Sequence, residues 1–300
     1  MNGYLAALLD PSMPFVRNAL IAGLLSSVLF GTLGAVVTVK RISGLAGAIS
    51  HAVLGGIGMA LYLAAHGILP GLPPMVGALV FALLAAAIIG FVSLKAKQRE
   101  DTVINAIWAI GMSVGVLFIA KTPGYADPMS YLFGNILLVS SSDLILLATL
   151  DAIVVLLVWR YYKQIEASAF DEEFARVRGV PTDAVFIVIL AITAVAVVLL
   201  QTFVGIVMVI AMLTLPSGTA GFAARNIASM MVGGTLLSVL FTVSGLAASW
   251  ALDMPAGGVI VVIAGAVFLG VSAIVALLSR RSRRPGRDSA MSHAEAEARV

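Results

Sequence analysis

One imidazole, one carboxylate and one proline patch carry the chemistry open to the apolar stretches of this sequence. Of three histidines, His293 sits in a charged terminal stretch and His66 at the end of an apolar run, leaving His51 as the one deep imidazole. At 100° per residue Gly44, Gly47, His51, Gly55 and Gly58 fall within an arc of about 80° on one helix. Glycines let a second backbone approach closely or leave a narrow path open, and neutral imidazole is a common ligand of divalent metals. His51 therefore reads either as a metal ligand on a transit path or as a hydrogen bond across a helix interface. Asp151, midway along another apolar run with no basic neighbour in sequence, is the second candidate: a metal ligand, a proton relay, or an acid held by a polar neighbour. Pro216, set among Thr214, Ser217, Gly218 and Thr219, removes a backbone donor and predicts a kinked or broken helix. Such a helix lines a path, or its hydroxyls simply repair the freed carbonyls. Met208 and Met212 read as packing. The absence of cysteine excludes disulfides and thiolate metal sites.

The elements that must position these groups are membrane spans. The chain has 300 residues, 61% hydrophobic and 11% charged, with a mean hydropathy of +1.08. That composition excludes a soluble fold. A hydrocarbon core of about 30 Å needs about 20 apolar residues per helix. Nine stretches qualify: 15–39, 43–65, 75–94, 103–120, 143–160, 184–200, 204–223, 227–250 and 257–278. The apolar run 131–139 is too short to cross and reads as a short or re-entrant helix. With the N-terminus outside, 16 of the 18 Lys and Arg residues fall on the inner side, and only Arg17 and Lys121 fall outside. This matches the positive-inside rule and predicts a cytoplasmic C-terminus. The net charge of +3 is thus a topology signal and calls for no nucleic acid. The first residues lack a basic region and a small-residue cleavage site, so the first span is expected to be retained. Residues 1–278 read as one transmembrane domain of an all-α, polytopic helical bundle. Residues 279–300, RRSRRPGRDSAMSHAEAEARV in the main, read as a disordered tail whose arginines can meet lipid headgroups.

The longest charged connection, about 163–183, lies on the basic side and predicts a short helix. Phe170, Phe174 and Val177 recur at i, i+4 and i+7; Asp171, Glu172 and Glu173 open it, Arg176 and Arg178 close it, and Gly179 and Pro181 end it. Exposed phenylalanines on such a helix suit a partner with a groove. Lying on a membrane is the alternative, although three acids make anionic headgroups a poor match. No glycine-rich phosphate loop ending in Gly-Lys-Ser/Thr occurs, so the chain is expected to hydrolyse no ATP itself.

The segments RISGLAGAISHAVLGGIG (41–58), REDTVINAIWAIGMSVGVLFI (99–119), FDEEFARVRGVPT (170–182), VGIVMVIAMLTLPSGTA (204–220) and DMPAGGVIVV (253–262) resemble, in this order, the permease family of bacterial ABC importers for zinc and manganese. The resemblance spans 15–278. It implies a multi-pass permease of the bacterial cytoplasmic (inner) membrane, paired as a homodimer or with a second permease. It further implies a separate cytoplasmic ATP-binding subunit and an extracytoplasmic metal-binding protein that delivers the ion. The ion, whether zinc, manganese or ferrous iron, is then cargo and no cofactor is held permanently. The helix around Phe170 to Arg178 takes the part of the coupling helix. Many members carry an acid four positions before the helix-two histidine, where this chain has Gly47, so only His51 transfers cleanly.

Three other readings follow from the residues. An ABC permease for a metal chelate or vitamin is poorly served by a narrow stripe with one imidazole. A proton-coupled secondary carrier would use Asp151 and need no partner. An intramembrane enzyme needs paired acids or a histidine cluster, which one deep His and one deep Asp do not provide.

Overall fold

The computed structural model describes residues 2–95, 100–124, 132, 134, 136 and 139–282. Every regular element among them is an α-helix. In chain order these are α1 (Asn2–Leu9), α2 (Pro14–Val39), α3 (Ser43–Ala65), α4 (Pro74–Lys95), α5 (Glu100–Lys121), α6 (Ser141–Arg160), α7 (Tyr162–Phe170), α8 (Glu172–Val177), α9 (Thr182–Val204), α10 (Ile206–Gly221), α11 (Ile227–Leu252) and α12 (Ala256–Ser282). All nine expected spans are helices at their expected places. Eight are long and apolar enough to cross a membrane, while α10, with 16 residues, is shorter. At 1.5 Å per residue it rises about 24 Å, less than the hydrocarbon thickness. Helix α12 runs four residues past the expected end at 278, and the remainder of the expected tail lies outside the described residues.

Helix ends follow local chemistry. Pro14 opens α2, where its missing N–H costs nothing. Ser140 and Asp143 form a reciprocal capping box at α6, as do Asn226 and Ser229 at α11. Hydroxyls buried within spans turn back on their own helices, with Ser27, Ser50 and Thr193 donating to the carbonyls of Gly23, Ala46 and Ile189 at 2.7, 2.8 and 2.8 Å. The α9–α10 joint is a single residue, Gly205, at φ 84° and ψ 159°, a conformation that side chains with a Cβ rarely adopt. The expected short helix at 131–139 falls mostly outside the described residues. Of those described, Ile136 and Val139 are buried, Gly134 lies against the backbone of Val204 and Gly205, and Asn18 donates to the Val139 carbonyl at 3.2 Å.

Packing sorts the spans into two groups. Helices α3, α4 and α5 form one; α2, α10, α11 and α12 form the other, with α6 laid on α2. Helix α9 bridges them by touching α3, α4 and α10. Between lipid-bathed helices close packing replaces the hydrophobic effect as the force of association, and small residues permit it. A methyl group at Gly56 would overlap the Gly77 carbonyl of α4, and one at Gly77 would overlap the Gly56 carbonyl. Gly58 and Gly115 join α3 and α5 backbone to backbone in the same way, and Gly111 rests on Ala52.

Candidate functional site

Helices α3 and α5 run parallel. Ala52 meets Gly111, Leu54 and Gly58 meet Gly115, and His51 meets Trp108, so contacts advance along both helices together. The glycine stripe on α3 therefore divides into two parts. Gly55 and Gly58 are packed against α5, whereas a Cβ at Gly44 or Gly47 would meet nothing within 4 Å. His51 stands where the packed part gives way to the open part. Its ring lies 5.0 Å from that of Trp108, at 32° between planes, and its Nδ1 is buried with no hydrogen-bond partner among the described residues. Of the two roles open at the sequence level, a hydrogen bond from Nδ1 across this seam is not made among the described residues. What the arrangement provides is an imidazole, its Nδ1 unpaired among the described residues, at the edge of the open part of the stripe.

Asp151 is not brought to it. The carboxyl sits on α6 beside Val28 of α2, 7% exposed, with neither oxygen partnered among the described residues. Its recess is walled by Ala152, Val155, Leu156 and Trp159, on the face of the other helix group. Among the described residues no three His, Asp or Glu side chains gather to hold an ion.

At the proline patch the chain does not break: helix α10 continues through Pro216, and Gly205 forms the joint between α9 and α10. Thr214 donates to the Ile210 and Ala211 carbonyls at 3.1 and 3.2 Å, and Ser217, fully buried, donates to the Phe30 carbonyl of α2 at 3.4 Å. These hydroxyls hold the helix and fasten it to α2, a packing role.

The single helix expected over the charged connection is two. Asp171 is extended, at φ −147° and ψ 99°, and its carboxylate accepts the Phe174 N–H at 2.9 Å, which ends α7 and starts α8. Phe170 thus closes one helix while Phe174 and Val177 ride the next, yet all three are exposed. Ile165, Ser168 and Ala175 are buried and hold the pair down, while Arg176 reaches Asp183 at 2.7 Å and Glu172 at 3.4 Å. Arg178 lies over the Phe174 ring at 5.1 Å, and Gly179 takes φ 85° to end the turn. Asp171→Ala is expected to cost this short helix about 1 kcal/mol. The Phe174 amide should then exchange faster with deuterium while the global melting temperature stays within a degree or so, the loss being local.

This helix pair abuts the turn that launches α3. Lys40, Arg41 and Ile42 share a cleft with Phe170, Glu172 and Phe186. Arg41 is left-handed at φ 58°, and the Lys40 ammonium lies 5.8 Å from the centre of the Phe186 ring. Burial pushes the Lys40 amine below its usual range, and Glu172 pulls it partly back. His51 lies nine residues beyond Ile42, about 13 Å along the helix.

Residues 12–275 match the model of the ABC 3 transport family. The chain belongs to that family. A Chlamydia muridarum relative, named a probable metal transport system membrane protein, is 34% identical over 90% of this chain and 90% of its own. The manganese transport system membrane protein MntC of Listeria monocytogenes is 31% identical over 85% of this chain and 88% of its own. Among solved structures, PsaBC from Streptococcus pneumoniae in complex with Fab matches with a TM-score of 0.79 at 28% identity, over 90% of this chain and 94% of that one. As a member of the ABC 3 transport family the chain is a multi-pass membrane protein of the transport machinery.

One polar residue near the open part of the stripe escaped the sequence reading. Asn105 of α5 is exposed, one turn from Trp108 towards the Lys40 end, at the level of Gly47. A search confined to ionisable groups passes over an amide; polar residues of any kind within a span were the signal to follow.

Proposed function

We propose that this chain is the transmembrane permease subunit of an ABC importer that moves divalent metal ions, zinc, manganese or ferrous iron, across the cytoplasmic membrane. The observation that carries the reading is the His51 imidazole, its Nδ1 unpaired among the described residues, at the open end of the glycine stripe, in a family with relatives named for metal transport. A neutral imidazole suits zinc and ferrous iron, and one such ligand per chain holds an ion loosely enough to let it go. Asp151 lies apart from this path and is assigned no metal in it.

The chain works as a pair. Helix α12 turns aliphatic side chains such as Val262, Leu269 and Leu277 outward, as lipid requires. Helix α5 instead exposes Thr102, Asn105 and Ser113, of which Asn105 is the one nearest the line of contact with α3. Polar groups at membrane depth belong against protein or a water-filled cavity. A second copy laid on this face by a twofold axis covers them and sets two His51 side chains toward one path.

The ATP-binding subunit docks on the cytoplasmic α7–α8 pair through Phe170, Phe174 and Val177, with Asp171, Glu172, Glu173, Arg176 and Gly179 shaping that pair. The cleft it shares with Lys40 and Arg41 passes displacement to α3 and so to His51. An extracytoplasmic metal-binding protein delivers the ion at the opposite face, near the N-terminus.

The test is reconstitution with the ATPase and the binding protein, following uptake of zinc, manganese and ferrous iron with and without ATP. One ion is expected to enter only with ATP. Loss of even an outer-sphere partner of a metal ligand typically costs 10 to 100-fold, so His51→Ala should lower uptake by about 100-fold or more while the complex still assembles. Wild-type uptake by His51→Ala would place the ion route elsewhere, and ATP-coupled uptake of chelates in place of free ions would change the substrate class.

A further inference from the structure

We infer that Asn105 is the second ligand of the ion in transit, its amide oxygen completing with His51 a site across the α3–α5 groove. The inference rests on the metal-permease reading and names a residue that reading does not. Four observations converge on it.

The first is reach. Trp108 stacks on His51, and Asn105 lies three residues nearer the Lys40 end, about 4.5 Å along the axis. Imidazole and amide are thus within one helical turn of each other. The second is side. Measured from the line of contact with α5, Gly47 turns one way around α3 and Asn105 turns the opposite way around α5. In two parallel helices, opposite turns face the same side, so both open onto one groove. The third is room. Nothing comes within 4 Å of a Cβ placed at Gly44 or Gly47, which leaves the level of Asn105 free for an ion and its remaining waters. The fourth is availability. Among the described residues the Asn105 amide makes no hydrogen bond, so its oxygen is free to take a ligand.

Along α5 the exposed residues Asp101, Asn105, Trp108 and Met112 recur at i, i+4, i+7 and i+11, a single face. On this face Asn105 offers an amide oxygen at the level of Gly47, and Asp101 a carboxylate one turn further towards the end of the helix, at the level of Gly44. An amide oxygen is a neutral donor suited to manganese and other hard ions, and imidazole suits zinc and iron. Two copies would then offer two nitrogens and two oxygens with no net charge. Such a site attracts a dication less strongly than one built with carboxylates, and favours passage over retention.

The test uses the full complex in liposomes for ATP-driven uptake, and the purified chain in nanodiscs for direct binding, with cobalt(II) as the probe and its visible absorption as the readout. Asn105→Ala is expected to lower uptake of the transported ion at least tenfold and to weaken cobalt binding while the ATPase still co-purifies. Asn105→Asp should keep uptake and bind cobalt more tightly. Gly47→Asp combined with Asn105→Ala should restore uptake, since it returns an oxygen ligand at the same level where there is space for one. Wild-type uptake and cobalt binding by Asn105→Ala, beside an inactive His51→Ala, would overturn the role of Asn105 and leave the permease reading intact. A wild-type complex that neither binds cobalt nor moves any of the three ions would overturn both.

Discussion

Phe174→Asp is expected to abolish co-purification of the ATP-binding subunit and, with it, all ATP-driven uptake. Phe174 is 56% exposed on a six-residue helix whose only buried member is Ala175. Its ring is therefore free to enter a groove on a partner. An aromatic anchor at the centre of an interface commonly carries 2 kcal/mol or more, and a buried, unpaired carboxylate in its place adds a desolvation penalty. Together these make a loss of about a thousandfold in affinity, roughly 4 kcal/mol. The fold should be untouched, because Phe174 contributes nothing to the core of the chain. Size-exclusion chromatography of the coexpressed subunits reads the result, with Val177→Asp, at the rim of the same face, as a milder companion. Stoichiometric association of Phe174→Asp would place the energy input on another surface.

The second large effect is on the fold. Gly56→Ala adds one methyl group, and that methyl meets the backbone of Gly77 and Ala78 rather than a side chain able to swing away. Overpacking costs typically 1 to 3 kcal/mol where side chains can adjust. Here helices α3 and α4 must part along their length, so a loss of about 3 kcal/mol or more is expected, seen as a much lower melting temperature in detergent and poor recovery from membranes. Gly47→Ala on the same helix is the matched control. Its methyl enters open space, and alanine is favoured over glycine in a helix by up to about 1 kcal/mol, so it should be neutral or slightly stabilising. Equal melting temperatures for the two variants would contradict the backbone contact described for α3 and α4.

The spans were legible because length and apolarity alone decide them, and proline and capping residues mark many of their ends. What escaped was tertiary or conformational. Gly205 is one glycine among 29; the separate spans 184–200 and 204–223 imply a joint near it, but not that a single residue at φ 84° makes it. Asp171 reads equally well as a first-turn acid or as a cap; only its extended backbone splits α7 from α8. The glycine stripe around His51 was visible, but which glycines are packed and which are open depends on a parallel partner more than 50 residues away in sequence. Asn105 gained meaning only once that partner was in place.

The backbone contacts that join α3 to α5 carry a thermodynamic corollary. Helices locked carbonyl to glycine cannot slide without separating, so His51 and Asn105 ride on one stiff plate and their mutual distance is nearly constant throughout a cycle. An importer must nonetheless bind tightly when facing outward and weakly when facing inward. In the proposed pair, with the His51–Asn105 spacing inside each protomer fixed, that change of affinity would fall to the one coordinate left free, the distance between the two plates. ATP would then act on the metal as a jaw acts, by opening a gap between subunits and reshaping neither.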